Sequence, residues 1–189
     1  MVKGSWLAAL GVCTLVGSLA QADDKGSVYI TPTVGYNHLR IDRGRVFDQP
    51  ETIHFDSLEY GPAIGYRAPF GLIVEVGHTD AIHANIFNNQ DDFYLAQTFG
   101  SVGWEMEFAD GWHIQPRVGR GRWALSSDHR VLLDAAGERH HEIKGWDNFW
   151  GVSLIREVSK TFSLGVNFKD VDQEFGHSRA AEFMVRFQF

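Results

Sequence analysis

Bulky apolar side chains alternate with small or polar ones along eight segments of this chain. In the first segment, Val28, Ile30 and Val34 fall on one side of the chain, and Thr31 and Thr33 fall on the other. A period of two residues predicts β-strands. The eight segments lie within residues 28–37, 57–67, 72–79, 94–108, 112–121, 146–154, 162–169 and 181–189.

The connections between these segments alternate in length. Three are short, around residues 68–70, 109–111 and 158–159, and the second contains Asp110-Gly111, a strong signal for a tight hairpin. Four are longer and polar, at residues 43–52, 80–92, 126–142 and 170–178. Short turns at one end and long loops at the other are typical of outer-membrane β-barrels. A soluble β-sandwich has no reason to sort its loops in this way.

The composition of the two faces predicts which one points outward. One face carries Tyr, Trp, Phe, Leu, Ile and Val, and the other carries glycines, small residues and charged residues. Small and ionic side chains suit the inside of a narrow barrel, because eight strands leave room only for their own side chains. The pattern therefore predicts an all-β fold, an eight-stranded antiparallel up-and-down transmembrane β-barrel. The alternative is a soluble barrel whose apolar face points inward.

Aromatic residues cluster near both ends of the predicted strands, as in the two aromatic girdles of a membrane-spanning barrel. The residues near the short turns are Trp104, Phe108, Trp112, Phe162 and Phe187, and those towards the long loops are Tyr36, Tyr94, Trp123 and Trp146.

Two features conflict with uninterrupted strands. Pro32, Pro62 and Pro116 lie within predicted strands, where a closed barrel has no free edge to accommodate a missing N–H. In the first strand, Leu39 and Ile41 also fall out of phase with the apolar residues before them. We expect a β-bulge at each proline, the alternative being different strand limits there, and a further bulge near Asn37.

The N-terminus has the features of a secretory signal peptide. Lys3 precedes an uncharged apolar stretch at 6–20, and Ala20-Gln21-Ala22 has the small-residue pattern of a cleavage site. We expect residues 1–22 to be removed and residues 23–189 to form the barrel domain; a retained membrane anchor is the alternative. The only cysteine, Cys13, lies in the signal, so the mature chain has no disulfides. The formal net charge of -7 argues against a nucleic-acid partner.

Several motifs resemble those of small outer-membrane barrels of the OmpA/OmpX type. The segment 182–189 alternates and closes on Phe189, and it looks like the terminal strand recognised by the outer-membrane assembly machinery. The run 65–79 resembles the second hairpin of these barrels, and 117–121 is similar to their fifth strand. The resemblance implies short periplasmic turns and location in the bacterial outer membrane. Because the chain ends with the last strand, we expect no peptidoglycan-binding domain.

The polar face carries charges of both signs that the barrel would enclose. Buried charges persist only when they are paired and hydrogen-bonded, so these side chains are expected to interlock and plug the lumen. The alternative is a narrow polar conduit for solutes, gated by the same pairs. The predicted lumen charge network comprises Glu59, Glu75, Glu105, Arg117, Lys169, Glu182 and Arg186.

Candidate chemistry outside the lumen is sparse. His177-Ser178, with Asp172 and Glu174 before them, suggests an esterase such as a lipid A deacylase. Adjacent strand residues point to opposite faces, however, and polar loop residues are the alternative interpretation. The run 140–142, His-His-Glu, could help bind a divalent metal, but its spacing matches no defined site, and a simple polar surface is the favoured interpretation. We expect neither a cofactor nor a metal.

The remaining expectations concern partners. Arg120, Arg122, Arg130 and Arg139 lie near the long loops, and we expect them to contact lipopolysaccharide phosphates, which Arg binds bidentately. Other partners are membrane lipid and an unidentified ligand of the loops. The sequence thus favours a non-enzymatic barrel with an envelope-structural or surface-interaction role. A lipid A hydrolase and a narrow channel are the alternatives.

Overall fold

The computed structural model describes residues 26–41, 46, 52–83, 93–128, 131–134 and 136–189. The predicted signal peptide lies outside these residues. The described elements are all β-strands: β1 (Ser27–Ile41), β2 (Ile53–Arg67), β3 (Leu72–His83), β4 (Phe93–Trp104), β5 (Met106–Ala109), β6 (Trp112–Ser127), β7 (Leu132–Leu133), β8 (Arg139–His140), β9 (Glu142–Ser159), β10 (Phe162–Gln173) and β11 (Gly176–Gln188). No helix among the described residues has the length and hydrophobicity of a membrane span.

Eight long antiparallel strands close into a barrel. Each long strand pairs with the long strands before and after it in the chain, so that β6 pairs with β9. The strands β4 and β5 act as one strand broken at Glu105, and β1 closes the circle by pairing with β11. A row of paired residues runs once around the barrel and returns to β1 ten positions further on: Tyr29, Gly65, Glu75, Ser101, Gly119, Phe149, Val171, Ser178 and Leu39. Eight strands with this stagger tilt by about 40° and enclose a space that side chains fill.

Three tight turns define one end of the barrel, which we call the turn end. Gly111 follows Asp110 between β5 and β6 with a φ of 63°, and Gly71 follows Phe70 before β3 with a φ of 94°. Residues other than glycine rarely adopt these left-handed backbone conformations, so glycine is favoured at both positions. The opposite end carries the longer connections, and we call it the loop end.

An apolar band surrounds the half of the barrel near the turn end. On β1 the outward residues from Val28 to Tyr36 are apolar, and Val166 and Phe183 also point outward. The β1 stretch corresponds to a height of about 20 Å, from the rise per residue and the strand tilt. The orientation predicted from the two faces is therefore confirmed, because the ionic face points inward and the bulky face points outward.

Towards the loop end both faces reverse their polarity. The outward residues there are mostly charged or polar, among them His38 and Arg40 on β1 and Asp170 and Asp172 on β10. Ile82, Tyr94 and Trp146 also point outward near this end. The inward residues are apolar and form a compact upper core: Leu39, Ile41, Val46, Phe55, Ala81, Phe93, Leu95, Trp123, Leu125, Leu132, Ile143 and Phe175. The same strands thus carry opposite patterns in their two halves.

This reversal explains why the bulge expected near Asn37 is wrong. The pairing of β1 with β2 continues in one register from Ser27 to Ile41. Leu39 and Ile41 occupy inward positions because the interior has become apolar at that level, not because the strand has shifted.

The bulges expected at the prolines are also wrong. Pro32 lies directly opposite Pro62, and Pro116 lies opposite Val152 in unbroken register. Near Pro32 the pairing of β1 with β11 stops after Ile30 and resumes at Thr33 in the same register. Each proline therefore costs ladder hydrogen bonds without inserting a residue.

Two further expectations need correction. Trp123 does not belong to an aromatic girdle; it is buried in the upper core, where its ring meets Phe175 edge-on at 4.5 Å. The expected long connection at 170–178 is only a turn, because β10 continues to Gln173 and β11 begins at Gly176. This stretch looks like a loop because its strand residues cross the level at which the outer face becomes polar.

The polarity of the outer face predicts how two arginine substitutions on β10 will differ. Val166→Arg places a charge in the apolar band and should cost about 2–4 kcal/mol of unfolding free energy in lipid vesicles. Asp172→Arg, outward on the same strand but near the loop end, should cost less than about 1 kcal/mol. Urea unfolding of both variants makes the comparison, and equal losses would contradict the assigned band.

Candidate functional site

The lumen holds a stack of ion pairs contributed by strands from around the barrel. Nearest the upper core, Lys169 on β10 donates to Glu59 on β2. Asn37 Nδ2 donates to the other Glu59 oxygen at 2.6 Å, and Lys169 Nζ lies 3.4 Å from Gln97 Oε1. Both charged side chains are buried, so each satisfies a group that water cannot reach.

The middle of the lumen is occupied by Arg117 and Glu75. The Arg117 guanidinium donates to Glu75, and Tyr29 donates its hydroxyl to Glu75 Oε2 at 3.2 Å. The rings of Phe99 and Phe149 each lie 5.9 Å from the Arg117 guanidinium carbon. This cation therefore has a carboxylate partner and two aromatic faces, an arrangement that immobilises its side chain.

At the turn end, one carboxylate gathers three basic groups. Glu105, at the break between β4 and β5, accepts from Arg186 and lies 3.2 Å from Arg67 Nε. His113 Nδ1 lies 3.6 Å from the same carboxylate. Arg186 also donates to Gln115, and its guanidinium lies 4.3 Å from the centre of the Tyr29 ring. Glu105, at the break between β4 and β5, thus has more basic partners than the other lumen acids.

Glu182 differs from the other three lumen acids in the groups that bond to it. It accepts a hydrogen bond from Asn167, and Thr33 Oγ1 lies 3.4 Å from its other oxygen. Lys169, Glu59 and Arg117 are close enough to influence it electrostatically. Neutral donors therefore hold this carboxylate between two established ion pairs.

The lumen retains very little empty space among these groups. A cavity of about 20 Å³ is lined by Glu75, Arg117, Lys169, Glu182 and Arg186, together with uncharged residues. Such a volume accommodates about one water molecule. The side chains that the sequence predicts as a lumen network thus all lie inside the barrel.

Sequence reasoning missed two members of the turn-end cluster. Arg67 and His113 fall on the polar face of their strands, so the same alternation that selected Glu59 and Arg117 includes them. Both lie at strand ends, beside the short turns. His113 is in fact buried, and its Nε2 lies 3.6 Å from Glu157 Oε2.

The predicted surface arginines are distributed over two elements. Arg120 and Arg122 lie on the outward face of β6, just beyond the apolar band, and Arg120 lies over Trp146 at 5.8 Å. Arg139 is exposed on the small hairpin β7–β8. Arg130 lies outside the described residues.

His177 and Ser178 do not form a catalytic pair. Both lie in β11, where His177 points outward and Ser178 inward. Ser178 Oγ donates to Asn37 Oδ1 at 2.8 Å inside the barrel, whereas His177 Nε2 lies 3.2 Å from Asp170 Oδ2 outside it. The barrel wall separates the hydroxyl from the imidazole.

The hairpin β7–β8 brings together a different set of residues from the His-His-Glu run at 140–142. His140 Nε2 lies 3.0 Å from Asp134 Oδ2 and 3.8 Å from Glu138 Oε2, whereas Glu142 pairs with Lys144 at 2.9 Å. Asp134 Oδ1 accepts from the backbone N–H groups of Ala136 and Glu138, at 2.9 Å each. The Glu138 amide is the larger cause of the lowered pKa of Asp134, with His140 adding to it. These contacts fix the turn of the hairpin.

Comparison with known proteins supports the architecture. The chain matches no protein-family sequence profile and no curated protein. Three similar solved structures are Neisserial surface protein A, Ail of Yersinia pestis with the heparin analogue sucrose octasulfate, and the Yersinia pestis outer membrane protein Ail in a phospholipid bilayer nanodisc. Their TM-scores are 0.63, 0.56 and 0.50, with 13%, 9% and 9% identity. The alignments cover 86%, 87% and 87% of this chain and 97%, 99% and 100% of theirs.

The chain has the fold of a small eight-stranded outer-membrane β-barrel. At these identities the comparison establishes architecture alone, and it confirms the fold expected from the OmpA/OmpX-type motifs.

We predict that breaking one lumen ion pair greatly lowers the free energy of unfolding. Lys169→Met leaves the buried Glu59 carboxylate without its cation and should cost about 3–5 kcal/mol in urea unfolding. The double variant Glu59→Gln/Lys169→Met should recover most of this loss, because no charge is then left unpaired. Lys144→Met, which breaks the exposed pair with Glu142, is the matched control and should cost about 0–1 kcal/mol. Equal effects of the two single variants would contradict a tightly closed network.

Proposed function

We propose that this chain is a non-enzymatic protein of the bacterial outer membrane with an envelope-structural or surface-interaction role. The observation that carries the proposal is the polarity of the barrel near its turn end. There the outer surface is apolar around the barrel, while the ion pairs of Glu59, Glu75 and Glu105 lie inside. A water-soluble barrel requires the opposite arrangement, since water would solvate those charges and exclude the apolar face.

Two features favour the outer membrane as the location. The last strand, β11, alternates up to Phe187 and is followed by Phe189, and both rings are exposed on the outer surface. This ending fits recognition by the outer-membrane assembly machinery after export through the cleaved signal peptide 1–22. One structural neighbour, Ail, is itself described as an outer membrane protein.

The filled lumen favours a structural plug over a solute channel. The three ion pairs follow one another along the interior, and the upper core closes the loop end with apolar side chains such as Leu39 and Leu125. An ion passing through would have to displace both layers. The geometry also favours a non-enzymatic role over the hydrolase alternative, because His177 and Ser178 face opposite sides of the wall.

Fractionation of cells that express the full chain, followed by gel electrophoresis, tests the location of the protein, the removal of its signal peptide and the folding of its barrel. We expect the protein in the outer-membrane fraction, shortened by the signal peptide, and migrating on gels at a different position until it is boiled. In planar bilayers the purified barrel should produce no conductance steps. Recovery in the soluble fraction would overturn the location, and regular conductance steps would overturn the plugged lumen.

A surface-interaction role would include contacts between surface arginines and lipopolysaccharide. Arg120 and Arg122 lie where the outer face turns from apolar to polar, which is the level of phosphate groups if the band spans the hydrocarbon. We therefore retain Arg120, Arg122, Arg130 and Arg139 as proposed lipopolysaccharide contacts, since guanidinium groups bind phosphate bidentately. The polysulfated ligand in the Ail structure is a polyanion on a barrel of the same fold.

Neutralising these arginines tests the lipopolysaccharide contact. The variant Arg120→Gln/Arg122→Gln/Arg130→Gln/Arg139→Gln should retain several-fold less lipopolysaccharide after purification in mild detergent, because it lacks the phosphate partners. Arg156→Gln is the matched control: Arg156 also lies over a tryptophan, Trp112 at 5.5 Å, but at the turn end. Unchanged lipopolysaccharide per barrel in the fourfold variant would remove the proposed contact.

A further inference from the structure

Two histidines face each other on the outer wall near the loop end. His38 on β1 pairs in register with Asp56 on β2, and Arg40 pairs with His54, so the two histidines are diagonal neighbours. His38 Nε2 lies 3.4 Å from His54 Nδ1, and the ring planes differ by 26° with centroids 5.5 Å apart. Both rings lie on the outer face of paired strands rather than in a loop.

A carboxylate fixes the protonation of one imidazole. Asp56 Oδ1 lies 2.7 Å from His38 Nδ1. Because a carboxylate accepts, the proton of the neutral ring stays on Nδ1, and the lone pair of Nε2 points towards His54. A carboxylate bonded to the far nitrogen of a histidine is the usual second partner of metal-binding imidazoles, and it increases their basicity.

The spacing of the two facing nitrogens matches a metal better than a hydrogen bond. A separation of 3.4 Å is long for a nitrogen–nitrogen hydrogen bond. Two nitrogens at roughly 2.0–2.1 Å from one tetrahedral zinc ion are separated by about 3.3–3.4 Å. The pair therefore has the correct separation before any metal binds, and the paired strands maintain it.

We propose that His38 and His54 form a surface site for a transition-metal dication such as Zn²⁺ or Cu²⁺. Asp56 orients His38 from behind, and water fills the remaining coordination positions. This site stands apart from the lumen and from the proposed lipopolysaccharide contact, and it does not depend on either.

The neighbouring charges indicate which metals fit. Arg40 lies in register with His54, and Arg179 lies in register with His38, so both add positive charge near the pair. Asp56 opposes this charge, and Arg179 is itself bonded to Asp170 at 3.1 Å. Attraction by net charge is therefore weak, and binding depends on the bonds to imidazole nitrogen. Zinc and copper form such bonds well, whereas Mg²⁺ and Ca²⁺ prefer oxygen ligands.

Calorimetry with Zn²⁺ on the untagged mature barrel in detergent tests the site. All proteins carry His140→Ala, which removes the imidazole of the Asp134–Glu138–His140 cluster on the hairpin. In this background we expect one zinc per barrel, at least tenfold weaker binding in both His38→Ala and His54→Ala, and no binding of Mg²⁺. Asp56→Asn should weaken binding about tenfold or more, because it removes the orienting carboxylate.

His78→Ala is the matched control. His78 is also outward and contacts a carboxylate, with Nε2 3.1 Å from Asp80 Oδ1, but its Nδ1 faces the Thr98 hydroxyl at 2.8 Å. Its substitution should leave zinc binding unchanged. Equal losses in His78→Ala and His38→Ala, or unchanged binding in His54→Ala, would overturn the proposal.

Electron paramagnetic resonance of bound Cu²⁺ supplies a readout that a merely structural role would not change. We expect couplings from two equatorial nitrogens in the parent protein, and from one in His38→Ala or His54→Ala. A spectrum with a single nitrogen in the parent would overturn the site. Heat-modified gel migration, measured in parallel, verifies that each variant is folded.

Discussion

A charge can be enclosed in this barrel only if an opposite charge or a hydrogen-bond donor reaches it. Eight strands with a stagger of ten residues enclose an interior that their own side chains occupy, so the charged side chains must satisfy one another. Glu59 with Lys169, Glu75 with Arg117 and Glu105 with Arg186 meet this requirement at successive levels. The tilt of the strands makes the arrangement possible, because it brings residues distant in sequence to the same height inside the barrel.

The same constraint governs the other half of the molecule in reverse. Where the outer face carries His38, Arg40 and Asp172, the strands no longer need a charged interior, and apolar side chains such as Leu125 and Ile143 fill it. The barrel therefore combines two kinds of wall in one set of strands. Its lower half is suited to hydrocarbon outside, and its upper half is built like the core of a water-soluble β-barrel.

The alternation of residue types was sufficient to predict the number of strands, their antiparallel order and the orientation of their faces. It failed where one assumption failed, namely that each strand keeps one polarity along its whole length. Leu39 suggested a bulge, and residues 170–178 suggested a loop, because both lie where the polarity reverses. Trp123 was misplaced for the same reason, since an aromatic residue near the loop end packs inward there.

The sequence could not predict which charged side chains pair with each other in the lumen. Sequence showed which side chains face inward, but the stagger of the barrel decides which of them meet. Lys169 contacts Glu59, 110 positions away in sequence, and no local spacing predicts that contact. Arg67 and His113 were in principle detectable, because they follow the same period-two pattern as Glu59 and Arg117.

The facing prolines have a mechanical consequence for the wall. Pro32 and Pro62 supply no N–H to the ladder, and the rungs between β1 and β11 are also missing beside Pro32. This weak point adjoins the junction of the first and last strands, where the cylinder is sealed. The missing rungs lower the resistance of this seam to lateral separation of the two strands, whether during insertion or under tension.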